Sequence, residues 1–387
     1  MGTPSSKHGA PGLSAGHLNY LDALRGYAIT GVFFVHFLHD EDFAIGIPKF
    51  LNLVGYGVTL FYVLSAYCLM LSLHRQGSNI RWIDYAIRRI FRIVPAFYLA
   101  IALWSIIYIY SGHALGMTTL ITSITFVNGF LPTQIHSCIP HGWSIAVETS
   151  FYVILPFVFL RIRNIKQALI ALACATPICV ISSWVLPVLL NRLYPDGRFS
   201  EVEPYTIYWL PAQLPVFLIG VTTYFAIHGP SKEEPWLRKI THGRYFYPLG
   251  FLVLASLLAA YLPTRIAHIA VAACWSGSLI WLSAKPNSWV ANRFMTKIGL
   301  ISFSAYLFHQ LGINITKLAF PSALTTTTGI PAFCLSAGLS VLFASISYKF
   351  IEKPGIALGS NLVRRRHPAK LHAGGASVAL PQSKISE

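Results

Sequence analysis

The chain has 387 residues, 55% of them hydrophobic and only 11% charged, with a mean hydropathy of +0.58. Soluble domains carry about 25% charged residues, so this composition excludes them and predicts an all-α polytopic membrane protein. A net charge of +16 would suggest a nucleic-acid partner in a soluble chain; in a membrane protein its distribution reports topology, and no nucleic-acid partner is expected.

Residues 1–17 are rich in Gly, Ser and Pro, lack an apolar run, and are expected to form a flexible cytoplasmic tail with no cleaved signal peptide. Apolar runs then predict about ten transmembrane helices, near 18–38, 53–73, 93–110, 142–160, 168–190, 206–227, 246–262, 266–283, 298–317 and 329–350. The run at 118–131 is too short to span and reads as re-entrant or interfacial. With the amino terminus inside, 23 of the 29 Lys and Arg residues fall on the inner side and 5 on the outer, Arg25 lying within the first span. That asymmetry predicts both termini in the cytoplasm. From 355 to 387 the chain turns basic and polar and reads as a cytoplasmic tail suited to anionic lipid. The six cysteines form no CxxC pair and read as small hydrophobes.

Taken in order, the spans carry costly polar residues. The first contains Asp22, Arg25 and His36. Arg25 and His36 are eleven residues apart, about three full turns, so they share a face at a rise of ~16 Å. Asp22 shares that face and is placed to position Arg25; Asp40, one turn past His36, would orient its ring if the helix extends that far. In the second span, GYGVTLFYVLSAYCLM, the small residues Gly55, Gly57, Ser65 and Ala66 predict close helix packing. Arg88, Arg89 and Arg92 at helical spacing suit either inner headgroups or a polyanionic cytoplasmic ligand, and Pro95 suits an opening turn. Glu148, in HGWSIAVETSFYVILPF, must be protonated, paired or facing water; catalytic and purely interhelical roles are both open. Trp143 and Tyr152 read as interface aromatics.

In the ninth span Ser302 and Tyr306 share a face as interhelical glue, and a lone His309 is more often a packing residue than a catalyst. At the end of the tenth, Glu352 and Lys353 suit headgroups and Pro354 is expected to stop the helix. No HExxH or paired CxxC occurs, so no metal is expected; no GxSxG marks a serine nucleophile.

Six segments, LDALRGYAITGVFFVHF, GYGVTLFYVLSAY, RRIFRIVP, HGWSIAVETSFY, SFSAYLFH and FIEKP, together resemble, in that order, the acyltransferase 3 family of integral-membrane O-acyltransferases over residues 18–354. Ala66 stands where a glycine is usual, Thr149 where a second acid is common, and Ala305 departs from a Ser-Tyr-Ser-like run. The resemblance implies transfer of an acyl group, usually acetyl from acetyl-CoA, to a hydroxyl of a carbohydrate, lipid-linked glycan or other sugar-like acceptor, in a bacterial inner membrane. It places His36 as base or acyl carrier, Glu148 as the carboxylate that orients His36 or the acceptor, and Arg25, Arg88, Arg89 and Arg92 on the CoA phosphates. Trp143, Tyr306 and His309 lie in the matching motifs and would support the site. The rival reading of the residues alone is a proton-coupled secondary transporter or flippase, with the same buried charges forming a path. Acceptor identity, acyl length and oligomeric state are not legible in the chain.

Overall fold

The computed structural model describes residues 19–39, 49–77, 80–112, 115–195, 202–229, 248–284, 288–320 and 329–367. Among these every regular element is a helix or helical turn. The tail at 1–17, Asp40 and the acidic outer loop at Asp196 and Glu201 lie outside the described residues.

Among the described residues eight helices are long and apolar enough to cross a membrane, matching eight of the ten predicted spans. In chain order the helices begin with α1 (Asn19–His39), α2 (Gly57–Arg75), α3 (Trp82–Tyr110) and, after the short α4 (Met117–Ile124), α5 (Trp143–Arg161). Next come α6 (Ile165–Leu193), the single turn α7 (Tyr205–Tyr208) and α8 (Leu210–His228). The seventh predicted span is the 14-residue α9 (Pro248–Tyr261), whose length of ~21 Å falls short of the hydrocarbon thickness. It ends before Pro263, which has no N–H to continue the helix and whose carbonyl accepts from Ile266 and Ala267 at the start of α10 (Thr264–Ala284), the break that the predicted spans placed between 262 and 266. The ninth predicted span is broken into α11 (Arg293–Leu300) and α12 (Ser302–Ala319), which bend by 83°.

Two proline expectations are corrected. Helix α3 begins at Trp82, so Arg88, Arg89 and Arg92 are inside the helix and Pro95 sits in its interior. Asp84 in the first turn complements the helix dipole and accepts from His367 at 2.8 Å, which ties the start of α3 to the far end of the chain. Pro354 does not stop the last helix either. After α13 (Gly329–Ser347) a π-helical turn, Tyr348–Glu352, precedes Pro354, and the helix runs on through the proline as α14 (Lys353–Arg365). The stretch expected to be tail from 355 is thus helical to Arg365 and lies against Phe91 of α3 through Gly355 and Gly359.

Helix α2 runs through the centre, with Tyr62, Val63, Ala66, Tyr67 and Met70 at most 1% exposed. In lipid there is no hydrophobic gain from pairing apolar helices, so close van der Waals approach must do the work. Glycine permits it: a Cβ on Gly26 would sit 2.2 Å from the Met295 carbonyl oxygen, and one on Gly299 only 1.7 Å from that of Asp22. Helix α1 is thereby held flush against α11, which fixes the direction of Asp22 and Arg25. The outer face of α6, with Ile170, Ile178, Ile181 and Trp184 exposed, is left for lipid. The 118–131 run forms only α4 and a 3₁₀ turn, Val127–Phe130, with Phe126 at φ 59 between them.

Candidate active site

Of the side chains singled out in the sequence, Arg25, Arg89, Arg92, Glu148, His36, Trp143 and Tyr306 line two cavities, whereas Asp22, Arg88 and His309 line neither. The first, about 270 Å³, is bordered by Arg25, Arg89, Arg92, Ser65, Glu148 and Tyr152. Arg25 donates to Asp22 Oδ1 at 2.7 Å and to Cys68 Sγ at 3.2 Å. One turn apart on α1, Asp22 thus aims the guanidinium while Cys68 meets it from α2. Arg89 lies 5.8 Å from the centroids of both Tyr85 and Tyr152, and its buried Nε has no hydrogen-bond partner. A desolvated guanidinium with an orphan donor is a place for an anion. Arg88 is directed elsewhere, donating to Gln76 Oε1 at 3.4 Å.

Glu148 Oε1 accepts from the Ser65 hydroxyl and from the Tyr152 hydroxyl, each at 2.6 Å. The carboxylate therefore belongs with the arginine-lined cavity, and Tyr152 links it to Arg89. Ser65, read from the sequence as a packing residue, is instead its partner from α2. Gly57 and Ala66 do pack: a Cβ on Gly57 would meet the Ala28 carbonyl oxygen at 2.4 Å, and one on Gly220 the Ala66 methyl at 2.8 Å.

The second cavity, about 240 Å³, contains His36, His141, Trp143, Tyr208 and Gln213. His36 Nδ1 lies 2.8 Å from His309 Nε2, and its ring stacks on that of His141 at 3.5 Å with planes 13° apart. The other His309 nitrogen, Nδ1, lies 2.8 Å from the Tyr306 carbonyl oxygen. A carbonyl only accepts, so His309 Nδ1 carries the proton and its Nε2 the lone pair, and His36 donates to it from Nδ1. His141 is held at φ 62, outside the range ordinary residues favour, at the turn before α5. Burial pushes its pKa down to about 4, so its ring is neutral at physiological pH. The ligand nitrogens of His36, His141 and His309 lie within 4.8 Å of one another, a spacing that alone would suit a metal ion. The stacked planes oppose that use, because lone pairs lie in the ring planes and those of parallel rings do not converge on one point.

Val58 and Tyr306 border both cavities. The Tyr306 hydroxyl accepts from Ser144 at 2.5 Å and donates to the His141 carbonyl oxygen at 2.9 Å. Tyr306 thus marks the boundary between the arginine and the histidine side, while its backbone anchors His309.

Sequence comparison decides the family. The acyltransferase 3 profile, described as an acyltransferase domain, matches residues 18–349. The chain belongs to the acyltransferase 3 family. Its relatives include a Bacillus subtilis (strain 168) protein, YrhL, provisionally named a peptidoglycan O-acetyltransferase, 25% identical over a gapped alignment of 393 positions that covers 89% of this chain and 56% of that protein. Nodulation protein 10 of Rhizobium leguminosarum bv. viciae is 24% identical over a gapped alignment of 398 positions that covers 94% of this chain and 98% of its own length. A Staphylococcus aureus (strain COL) protein provisionally named an O-acetyltransferase is 22% identical, covering 86% of this chain and 56% of its own length. The chain thus spans about half the length of the B. subtilis and S. aureus proteins. No solved structure matches it.

In this acyltransferase 3 chain the structure brings His36 together with His309, which the resemblance alone offered as a supporting residue, and with His141, which sequence reasoning did not join to it. His309 was read as packing because a single histidine on an apolar helix carries no spacing signal, and His141 sits in a loop 105 positions from His36. The one available hint was the HGW motif itself, which puts His141 two residues before Trp143.

Proposed function

We propose that the chain is a bacterial inner-membrane O-acyltransferase, with both termini cytoplasmic, that moves an acyl group, most simply acetyl from acetyl-CoA, to a carbohydrate hydroxyl. One observation carries the reading: the arginine-lined and histidine-lined cavities adjoin at Tyr306, so that an anionic donor and a hydroxyl acceptor can enter separately and meet. The positive-inside count, 23 basic residues against 5, supports the arginine side as the cytoplasmic one, where CoA is available. Arg25, Arg89 and Arg92 hold the CoA phosphates, Arg89 through its unpartnered Nε. Glu148 organises Ser65 and Tyr152 beside them.

The chemistry needs a base, since a sugar hydroxyl is a poor nucleophile at its own pKa. His36 Nε2 takes the hydroxyl proton as the oxygen attacks the thioester carbonyl carbon. A C–O bond forms, the C–S bond breaks, and the proton passes from His36 to the CoA thiolate, leaving the acyl ester and the free thiol. His309 holds Nδ1 of the same ring, the part a carboxylate plays in a Ser-His-Asp triad. The acetyl-transferase name of the B. subtilis relative supports acetyl as the group and a glycan as the acceptor class. Incubating the purified protein in nanodiscs with labelled acetyl-CoA and a glycan acceptor tests it: labelled ester in the glycan is expected, and CoA release with no ester in any hydroxyl acceptor would refute it.

A further inference from the structure

The two cavities differ in charge. The arginine side carries Arg25, Arg89, Arg92 and Glu148, whereas no Asp, Glu, Lys or Arg is among the described residues lining the histidine side. Its polar surface is imidazole, hydroxyl and amide: His36, His141, Thr59, Gln213 and Tyr306. At about 240 Å³ it lies below the roughly 300–1,000 Å³ that drug-sized ligands occupy, enough for one sugar ring and too little for an oligosaccharide. A carboxylate desolvated here would meet no Lys or Arg among the described lining residues, which disfavours an acidic ring.

One wall is aromatic. Trp143 at the start of α5 and Tyr208 at the end of α7 stack with ring centroids 3.9 Å apart and planes 10° from parallel. Helix α7 is a single turn, and the Trp209 and Tyr208 amides return to Tyr205 and Pro204 carbonyls, so the Tyr208 ring is presented from a tight, hydrogen-bonded corner. Gln213 Nε2 donates to the Ile207 carbonyl oxygen at 2.8 Å and bolts the same corner to α8. Two large rings locked face to face form a rigid surface. The negative π face of such a surface attracts the polarised C–H groups on one side of a pyranose, while the hydroxyls on its rim are left for the polar groups.

We propose that the histidine-side cavity is the acceptor subsite, that it takes a single uncharged pyranose ring, and that Trp143, backed by Tyr208, is the platform on which that ring lies. This rests on the acyl-transfer reading above and names the substrate feature it selects: a neutral ring, with the rest of the glycan outside. Trp143 becomes a binding residue for the acceptor, with His36 lining the same cavity to receive its hydroxyl proton.

The test is binding, read without turnover. Saturation-transfer NMR on the full-length protein in nanodiscs is used with methyl α-glucopyranoside and methyl α-glucuronide, alongside calorimetric CoA binding as a check that each variant is folded. Wild type is expected to bind the glucoside and to bind the glucuronide at least about 10-fold more weakly; about 10-fold corresponds to 1.4 kcal/mol. Trp143→Ala and Tyr208→Leu are expected to weaken glucoside binding about 10-fold or more with CoA affinity intact, and Trp143→Phe to keep most of it. No glucoside binding by wild type, equal binding of the two sugars, or unchanged binding in Trp143→Ala would each overturn the proposal. If Trp143→Ala fails to bind CoA, Tyr208→Leu and Trp143→Phe decide by the same criterion. Failure of the acyl-transfer reading shows separately, as absence of ester product from a protein that still binds the sugar.

Discussion

Replacing His309 with leucine removes the Nε2 atom that meets His36 Nδ1 at 2.8 Å, while filling a site only 1% exposed with a side chain of similar bulk. The bond gains strength as His36 becomes an imidazolium: a neutral hydrogen bond contributes about 0.5–1.5 kcal/mol and one to a charged group about 1.5–3. The difference, roughly 1–2 kcal/mol, is felt in the transition state and not in the ground state, so kcat is expected to fall about 5–30-fold. Donor KM should stay put, because Arg25, Arg89 and Arg92 line the other cavity. Glutamine in place of His309 keeps an acceptor oxygen and should recover most of the loss. The assay is steady-state transfer by purified protein with donor and acceptor varied independently. A leucine variant with wild-type kcat, or leucine and glutamine variants equally impaired, would sink the idea that His309 holds the base.

Other outcomes follow from the same geometry. Arg89→Lys keeps the charge but loses the orphan Nε and the planar group between Tyr85 and Tyr152, so CoA affinity should drop about 10-fold, or 1.4 kcal/mol, by calorimetry; an unchanged Kd would remove Arg89 from the donor site. Glu148→Ala leaves the Ser65 and Tyr152 hydroxyls without their acceptor, at about 1–3 kcal/mol for each group left unsatisfied, and should lower the thermal midpoint, whereas Glu148→Gln should not by as much. Gly299→Ala puts a methyl 1.7 Å from the Asp22 carbonyl oxygen and should prevent recovery of monodisperse protein in detergent; normal yield and Tm would contradict the α1–α11 contact. His141 has its pKa lowered from 6.5 to about 4, so the unfolded chain takes up its proton first. Stability from this group is complete above pH 6.5 and is lost as pH falls from there towards 4; His141→Asn should flatten that part of the pH–Tm curve.

Much of this was legible in the chain. Apolar runs marked the spans, and the eleven-residue spacing correctly put Arg25 and His36 on one continuous helix, with Asp22 on Arg25. What composition and periodicity missed was decided by single residues. Pro354 reads as a terminator, yet after a π turn the helix runs on through it. The Arg88–Arg92 run looks uniform, but Arg89 is wedged between two tyrosines while Arg88 turns to Gln76. The histidine trio was illegible because its members come from α1, α12 and a loop, and no sequence period links them. Asp40, expected to orient His36, lies outside the described residues; His309 is a partner of His36 among the described ones.

The central claim is that His36 is the base of an acyl transfer. Single-turnover transfer from labelled acetyl-CoA to a glycan, compared between wild type and His36→Ala with CoA affinity measured in parallel, addresses it. A general base contributes about 10²–10⁴-fold, so a loss of that size with unchanged CoA Kd is the expected result. Full transfer by His36→Ala would contradict it.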